Sequence, residues 1–416
     1  MKKIFITLLL ILQTMFVFPF ISGAADFSFA INQYAGIDGQ GKEKKDINFD
    51  YQANFIPGFS HYFNDSCEIF LSAGIMLGWE EKFKWVPELL RAEFSWHKNN
   101  LGIRVGRINY ADPIGIIASG LFDGMSFSYT SMIGTISLGA WYTGLLYKKT
   151  ANISMNSRDY NSYVTPFDYN DFKNTYFASR RLLASFDWEH PSIGNFMRLK
   201  AAVTAQVDLS PKNEEKYHSQ YFTFKAVIPI KLFDFEFGGS VGLAQKKGAA
   251  DAKPDNKETG VSLLGNFGVL CRLPSVYNSY ISLTGSYLSG KMDNLMVFKP
   301  LSNKSYGNIL KIKLLGISLL SLDYTAQFIP AIGFGVGASL FIRNDLDTFK
   351  AYPVNAENNE GNFLGTEFYT RLVWSPFTDL QFNLGGGIFL PALGNAAAPK
   401  EKPLWLAEIS INFALY

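Results

Sequence analysis

Apolar and polar side chains alternate at successive positions along nearly the whole of this chain, and this alternation is the feature that most limits its fold. Segments of about ten residues, the length of a strand that crosses a bilayer, carry the pattern. One segment has apolar residues at every second position: Met197, Leu199, Ala201, Val203, Ala205 and Val207. Successive side chains of a β-strand point to opposite faces, so the pattern predicts strands with one apolar and one polar face.

Eighteen segments of this kind can be counted, and sixteen strands are an alternative count. They lie near residues 26–36, 47–56, 67–78, 88–97, 101–110, 124–131, 135–147, 175–189, 196–208, 218–229, 232–245, 259–272, 279–290, 317–329, 331–343, 364–375, 379–391 and 403–416. The intervals between them alternate between short and long. This arrangement is typical of outer-membrane barrels, which have short periplasmic turns and long external loops.

The length of the segments separates a membrane barrel from a soluble sheet. Strands of soluble proteins usually have about five or six residues, whereas about nine to eleven tilted residues cross a bilayer. No stretch with helical periodicity is available to cover an apolar sheet face, although a large soluble all-β fold remains the alternative. In lipid, an open sheet edge would leave backbone groups without partners, so the sheet must close. The sequence therefore predicts an all-β fold, a transmembrane antiparallel up-and-down β-barrel.

The first residues have the order of a secretory leader. Two lysines precede an apolar run over residues 4–20, and small residues follow. This order predicts a signal peptide over residues 1–24, cleaved near Ala24 or Ala25, and a single barrel domain over residues 25–416. An uncleaved membrane anchor is the alternative interpretation.

Export followed by barrel insertion would place the chain in the outer membrane of a diderm bacterium. The expected partners are outer-membrane lipid, periplasmic chaperones, the barrel-assembly machinery and small solutes, and a homo-oligomer is left open. The formal net charge of +2 includes the two lysines of the leader. The rest of the chain is therefore neutral, so a nucleic-acid partner is not expected.

The polar face of each strand is expected to line the lumen. A barrel of about sixteen or more strands is too wide for side chains to fill, so the expected function is that of a porin, which lets small hydrophilic solutes diffuse passively. A candidate solute path is formed by basic residues on part of the predicted wall: Arg91, Arg104, Arg107, Arg181, Arg198 and Lys200. Such a ladder favours anionic solutes. Alternatively, these residues are charges of the barrel wall that are solvated or form ion pairs with acidic residues of the wall.

Arg107 fits this ladder only if the strand is locally irregular. Val105 before it, and Ile108 and Tyr110 after it, are expected to face outward. A β-bulge at Gly106 and Arg107 would turn the arginine into the lumen.

The external loop from Ala111 to Gly124 is unusually apolar. An apolar loop is costly to expose to water, so it is expected either to fold into the barrel as a constriction or to pack against the external rim or another loop. The residues assigned to this constriction are Asp112, Pro113, Ile116, Phe122 and Asp123.

The segment Gly102–Arg107, followed by Asp112–Pro113 and Phe122–Gly124, resembles the strand, loop and strand around the narrowing loop of substrate-selective porins. The carboxylate-selective and alginate-export porins are the nearest likeness. This resemblance implies eighteen strands, a basic lumen and an inward loop. The last strand, which ends in Tyr416, partly resembles the C-terminal insertion signal of bacterial outer-membrane proteins.

The chain offers no set of residues for catalysis or metal binding. Its four histidines are isolated in turns or at strand ends, and its two cysteines are expected far apart on the wall. No enzyme activity, metal or cofactor is therefore expected. Two alternative functions remain. One is a fatty-acid-type transporter of hydrophobic compounds, which would usually carry an N-terminal hatch, and the other is a surface adhesin or antigen acting through loops 148–174 and 344–362.

Overall fold

The computed structural model describes residues 24–41, 47–80, 82–211, 214–248, 257–292, 295–302, 304–346, 361–397 and 401–415. The predicted signal peptide falls outside these residues except for its last position, and so does Tyr416. The first strand begins at Ala24, where the leader is predicted to end. Cleavage of the leader stays a prediction.

Eighteen antiparallel strands form one sheet, and each strand pairs with the next along the chain. They are β1 (Ala24–Gln40), β2 (Ile47–Asn64), β3 (Cys67–Glu80), β4 (Lys82–Lys98), β5 (Leu101–Ala111), β6 (Ser119–Ser131), β7 (Gly134–Tyr142), β8 (Arg181–Ile193), β9 (Met197–Asp208), β10 (Lys216–Ile230), β11 (Phe233–Lys247), β12 (Lys257–Leu273), β13 (Ser279–Leu288), β14 (Ile317–Ile329), β15 (Ile332–Arg343), β16 (Phe363–Phe377), β17 (Leu380–Leu390) and β18 (Leu404–Leu415). The last strand pairs with the first, from Phe29 opposite Leu415 to Gln40 opposite Leu404. The sheet is therefore a closed up-and-down barrel, and the count of eighteen is confirmed.

The outer surface of the barrel is apolar, as the alternation predicts. On β10, Phe222 and Phe224 point outward and are 54% and 43% exposed, whereas Tyr221 and Thr223 point inward and are buried. Large apolar side chains are exposed in the same way on most strands. A surface of this kind is stable in lipid and not in water, so the barrel spans a membrane.

Among the described residues, no helix is both long enough and apolar enough to cross a membrane.

The two ends of the barrel differ in the length of their connections. At one end the strands are joined by short turns, such as residues 65–66 and 99–100. At the other end lie long connections, which by the rule for outer-membrane barrels face the exterior. Three of them matter for the lumen: loop A (112–118), loop B (143–180) and loop C (289–316).

Loop B contains three short helices, and loop C contains a small two-stranded pairing. The helices are α1 (Lys148–Ala151), α2 (Ser157–Val164) and α3 (Phe172–Thr175), and the paired residues are Ser305–Tyr306 and Ile312–Lys313. A single turn of 3₁₀-helix, Pro391–Leu393, follows β17.

All three loops fold into the lumen, where their apolar side chains are buried against the inner wall. Ile117 of loop A and Phe298 of loop C are fully buried in one cluster with Phe341 and Phe389 of the wall. Ile153 and other loop B residues pack into a second cluster, which contains inward-facing wall residues such as Trp141 and Leu183. The external half of the lumen is therefore filled by packed loops, and the open space lies closer to the turns.

Candidate functional site

The candidate constriction is built where β5 and β6 leave the barrel wall. Pairing between β4 and β5 ends at Ala92 and Arg107, and pairing between β6 and β7 ends at Asp123 and Tyr142. Pairing between β5 and β6 themselves continues to Ala111 and Ser119. Residues 108–122 therefore form a two-stranded ribbon with both edges released from the wall, and we call this segment the ribbon.

A pair of glycines marks the point of departure. Gly106 and Gly124 lie opposite each other in register. A Cβ atom on Gly106 would lie 1.9 Å from the carbonyl oxygen of Ala92, and one on Gly124 would lie 2.0 Å from that of Ala140. Gly106 also has a φ of 119°, which a residue with a side chain adopts only with strain. Glycine is therefore required at both positions, because the neighbouring strands approach too closely for a side chain.

The structure corrects the prediction for this segment in three ways. The β5–β6 register has no break, so the bulge predicted at Gly106 and Arg107 is wrong. Ile108 and Tyr110 were expected to face outward, but they are buried inside the barrel next to Trp141. The reason is that the ribbon bends inward as a unit, so that both of its faces lie within the lumen.

The third correction concerns the limits of the loop. The sequence predicts a loop from Ala111 to Gly124, but β6 already begins at Ser119. Phe122 and Asp123 are therefore strand residues and not loop residues. Loops B and C cover the ribbon, so its apolar residues can remain in a hydrogen-bonded pair of strands without being exposed to water.

Loop A, at the tip of the ribbon, is organised by one carboxylate. Asp112 is buried and accepts hydrogen bonds from the backbone N–H groups of Ile114 (3.2 Å), Gly115 (2.9 Å), Ile117 (2.8 Å) and Ala118 (3.1 Å). A buried loop needs partners for its backbone donors, and this side chain supplies them.

The tip of the ribbon reaches a distant part of the wall, on β11, five strands beyond β6 around the barrel. The side chain of Ile114 lies 3.1 Å from the position that a Cβ on Gly238 of β11 would occupy. The carbonyl oxygen of Ile117 accepts from the backbone N–H of Leu301 in loop C (2.7 Å). Ile116 packs in the same apolar cluster, and Pro113 faces the cavity beneath. The ribbon thus crosses the lumen, where a constriction would lie.

Two adjoining cavities occupy the lumen between the ribbon and the turns. The first has a volume of about 580 Å³ and is lined by Arg104 and Asp187 of the wall and by Asn109 of the ribbon. The second has a volume of about 520 Å³ and is lined by polar residues of β8 to β13, which include Arg198, Lys200, Lys225, Asp234 and Glu236. Glu189 and Lys200 line both cavities. Together they form a polar chamber, defined here by these residues.

Four of the six predicted ladder residues lie on the wall of the chamber or beside it. Arg91 and Arg104 both bind Glu93, at 2.6 and 2.5 Å, and their side chains are 41% and 42% exposed. Lys200 pairs with Glu189 at 2.8 Å. Arg198 is exposed and has no carboxylate within 4 Å among the residues that the structure describes. The carboxylates are interleaved with the basic residues, so the chamber wall carries charges of both signs: Arg104, Arg198, Lys200 and Lys225, together with Asp187, Glu189, Asp234 and Glu236.

The other two ladder residues are buried and do not reach the chamber. Arg181 is fully buried and binds Asp159 of α2 (2.5 Å) and Asp208 of β9 (3.1 Å), so it attaches loop B to the wall. Arg107 binds Asp123 at the base of the ribbon. The predicted ladder therefore divides into two groups. Arg91, Arg104, Arg198 and Lys200 lie at the chamber or beside it, whereas Arg107 and Arg181 hold the ribbon and loop B.

Sequence reasoning missed the residue that holds loop C in the lumen. Glu367 of β16 is buried and accepts from the backbone N–H groups of Asn308 (2.6 Å), Ile309 and Leu310 (both 3.0 Å). The available signal was the apolar character of loop C around Ile309 and Leu310, which is costly to expose at the surface.

Two lysines join loop C to loop B. Lys299 donates to the carbonyl oxygen of Met155 (3.1 Å), and burial lowers its pKa. Lys313 donates to the hydroxyl of Ser154 (3.0 Å), and burial together with the nearby charge of Lys149 lowers its pKa. Both ammonium groups contribute to the packing of the loops against each other.

A closed eighteen-stranded barrel with an apolar exterior, inward loops and a polar chamber is the architecture of an outer-membrane channel protein. No protein-family model matches the sequence, and no curated protein matches it either. Solved structures do match.

The chain is similar to OccK11 (OpdR) of Pseudomonas aeruginosa, with a TM-score of 0.59 and 13% identity over 94% of this chain and 96% of that one. It is also similar to OccK2 (OpdF) of the same organism, solved in complex with glucuronate, with a TM-score of 0.58 and 11% identity over 94% and 96% of the two chains. A third match is the outer membrane protein OpdK of Pseudomonas aeruginosa, with a TM-score of 0.58 and 10% identity over 94% and 98%. The resemblance to substrate-selective porins is thus confirmed for the fold.

Proposed function

We propose that this protein is an outer-membrane porin through which small hydrophilic solutes diffuse passively, with a preference for anionic solutes. The observation that carries this proposal is the state of three arginines on the chamber wall or beside it, whose guanidinium groups are not matched one to one by carboxylates. Arg91 and Arg104 share the single carboxylate of Glu93, and Arg198 is exposed without a carboxylate within 4 Å among the described residues. Guanidinium groups in this state can donate pairs of hydrogen bonds to a passing carboxylate.

The similarity to OccK2 also supports a preference for anionic solutes. That protein was crystallised with glucuronate, which carries a carboxylate. In this chain the chamber also presents hydroxyl and amide groups, among them Ser126, Ser137, Ser185 and Asn109. An anionic solute with several hydroxyl groups would find partners for both kinds of group.

Ion selectivity in planar lipid bilayers tests this proposal. We expect the refolded protein to conduct, and its reversal potential in a salt gradient to show anion preference. In the double variant Arg104→Gln and Arg198→Gln, the anion-to-cation permeability ratio should fall by about two- to fivefold, because a unit charge about 4 Å from an ion in water contributes about 1 kcal/mol.

The matched control is Arg158→Gln, which removes the same charge from loop B, outside the chamber. Arg158 pairs with Glu214, and both side chains are 40% exposed. Its permeability ratio should equal that of the unmodified protein. Absence of conductance, or cation preference in the unmodified protein, would contradict the proposal.

A further inference from the structure

We propose that Arg107 and Asp123 form a clamp that holds the ribbon across the lumen and so sets the width of the channel. Arg107 is then a positioning residue for the constriction and not a contact for the solute. The effect on channel width rests on the proposed porin function, whereas the clamp itself can be tested without conduction.

The clamp stands directly above the glycine pair. Arg107 and Asp123 are the next cross-strand partners after Gly106 and Gly124, at the last position where either strand still meets the wall. The guanidinium binds the carboxylate through two parallel hydrogen bonds, Nε to Oδ1 at 2.7 Å and Nη2 to Oδ2 at 2.9 Å. The Arg107 side chain is 6% exposed and that of Asp123 is 20% exposed, so the pair is largely shielded from water. Bidentate geometry fixes the orientation of the two strands at the bend.

The remaining donors of Arg107 bind two other parts of the barrel. Nη1 donates to the carbonyl oxygen of Leu89 (2.6 Å), and Nη2 donates to that of Leu145 (3.0 Å). Leu89 belongs to the part of β4 beyond its pairing with β5, and Leu145 belongs to loop B. One side chain therefore connects the ribbon, the wall and loop B.

Beyond Ala92, β4 no longer pairs with β5, and its backbone carbonyl oxygens on that edge accept hydrogen bonds from three side chains, of which Arg107 is the first. The carbonyl oxygens of Pro87 and Trp85, at the next alternate positions, accept from the hydroxyl groups of Tyr176 (2.8 Å) and Tyr169. An open strand edge is normally a site of unpaired backbone groups. Here the carbonyl oxygens that β5 leaves unpaired, where the ribbon bends inward, are bonded to side chains, beginning with Arg107. Without Arg107, the base of the ribbon would lose its connection to this edge.

The tip of the ribbon has contacts of its own, so the clamp must be tested at the tip. The tip is bonded to loop C through Ile117 and packs on β11 near Gly238. If the clamp fixes the ribbon, its loss should increase the motion of the tip relative to β11. If the loop C contacts suffice, the tip should stay in place.

Disulfide formation between Ile114→Cys and Gly238→Cys measures this motion. The background carries Cys67→Ser and Cys271→Ser, since both native cysteines are free. The Ile114 side chain is close enough to Gly238 for a bond between the two introduced cysteines. We expect Arg107→Ala to slow oxidative cross-linking by about tenfold, which corresponds to about 1.4 kcal/mol. Asp123→Asn, which keeps the shape of the side chain, should also slow cross-linking. It replaces Arg107→Ala as the test variant if that variant does not fold.

The matched control is Arg272→Ala, which removes an arginine from another cross-strand ion pair, with Asp234 beside the turn between β10 and β11. It should cross-link at the unmodified rate. Unchanged rates in both Arg107→Ala and Asp123→Asn would overturn the clamp.

Conductance separates this proposal from the porin function. In variants that keep the native residues at positions 114 and 238, loss of the clamp should raise the unitary conductance. A protein that never conducts but cross-links more slowly without the clamp would refute the porin and support the clamp. A protein that conducts, with cross-linking and conductance both unaffected by the substitutions, would refute the clamp and leave the porin.

Discussion

At the scale of single residues, charged side chains in this barrel have two distinct uses. Arg104, Arg198 and Lys200 face the polar chamber, where we propose that they contact solutes. Asp112 and Glu367 are buried and bind backbone N–H groups of inward loops. Both kinds of residue lie at polar positions of the alternating pattern or, as with Asp112, directly after a strand. The sequence therefore predicts that such residues face inward, but it does not separate those that face the chamber from those that bind loops.

Asp112→Ala tests the second use. The substitution removes the side-chain acceptor of four backbone N–H groups of loop A in a buried site. The N–H of Gly115 keeps a second acceptor, the backbone carbonyl oxygen of residue 112 (3.0 Å). We expect the free energy of unfolding to fall by about 2–3 kcal/mol, because each unsatisfied buried donor is costly and the loop can relax only in part. Denaturant titration in detergent micelles measures this change.

Asp379→Ala is the control for Asp112→Ala, since Asp379 lies in an exposed turn between β16 and β17. Its effect should stay within about 0.5 kcal/mol of zero. Equal losses in the two variants would contradict the role assigned to Asp112.

At the scale of elements, the strands follow the sequence and the ribbon does not. Each of the eighteen predicted segments overlaps one observed strand. The reason is that alternation is local: each strand has one face toward lipid and one toward the lumen, and its side chains alternate between them. The β5–β6 ribbon breaks this rule. Beyond Gly106 and Gly124 both of its faces lie inside the barrel, so an apolar side chain no longer indicates an outward position. That is why Ile108 and Tyr110 were assigned to the wrong face.

Gly124→Ala tests the bend at the base of the ribbon. Its Cβ would lie 2.0 Å from the carbonyl oxygen of Ala140, so β6 or β7 must shift. We expect the free energy of unfolding to fall by about 2–4 kcal/mol, as for other overpacked or strained sites. Equilibrium unfolding, followed by the change in gel mobility of the folded barrel, gives the measurement.

Gly265→Ala on β12 is the matched control, because an added methyl group meets nothing within 4 Å there. It should leave the stability within about 1 kcal/mol of the original. If Gly124→Ala is as mild as Gly265→Ala, the close approach of the strands at the bend is not a real constraint.

At the scale of the whole molecule, closure and membrane insertion follow from the same pattern. β1 pairs with β18, so no strand edge along this seam is left open in lipid. The outward side chains form an apolar surface that covers the barrel, while the inward ones meet either the loops or the chamber. The similarity to OccK11 over nearly the full length of both chains agrees with this arrangement at 13% identity.

Val203→Arg tests the membrane-facing surface. Val203 lies near the middle of β9, points outward, is 48% exposed and is flanked by Phe186 and Phe222 on the neighbouring strands. In lipid bilayers, the substitution should lower the free energy of unfolding by about 2–4 kcal/mol, which is the cost of an arginine at the mid-plane. The control is Thr284→Arg, which faces the chamber from β13 and should cost much less. A smaller effect at Val203 than at Thr284 would contradict the orientation of the strands.

The sequence by itself determined the alternating faces of the strands, the closure of the sheet and the placement of the long loops at one end, and it narrowed the number of strands to eighteen or sixteen. These follow from local alternation and from the requirement that every backbone group in lipid has a partner. Only the tertiary structure decided that loops A, B and C fill the external half of the lumen, and that Arg107 and Arg181 hold loops while Arg104 and Arg198 face the chamber. The physical reason is that these contacts join residues distant in the chain. Whether an inward charge meets a solute or a loop depends on where that loop folds, which a two-residue pattern does not encode.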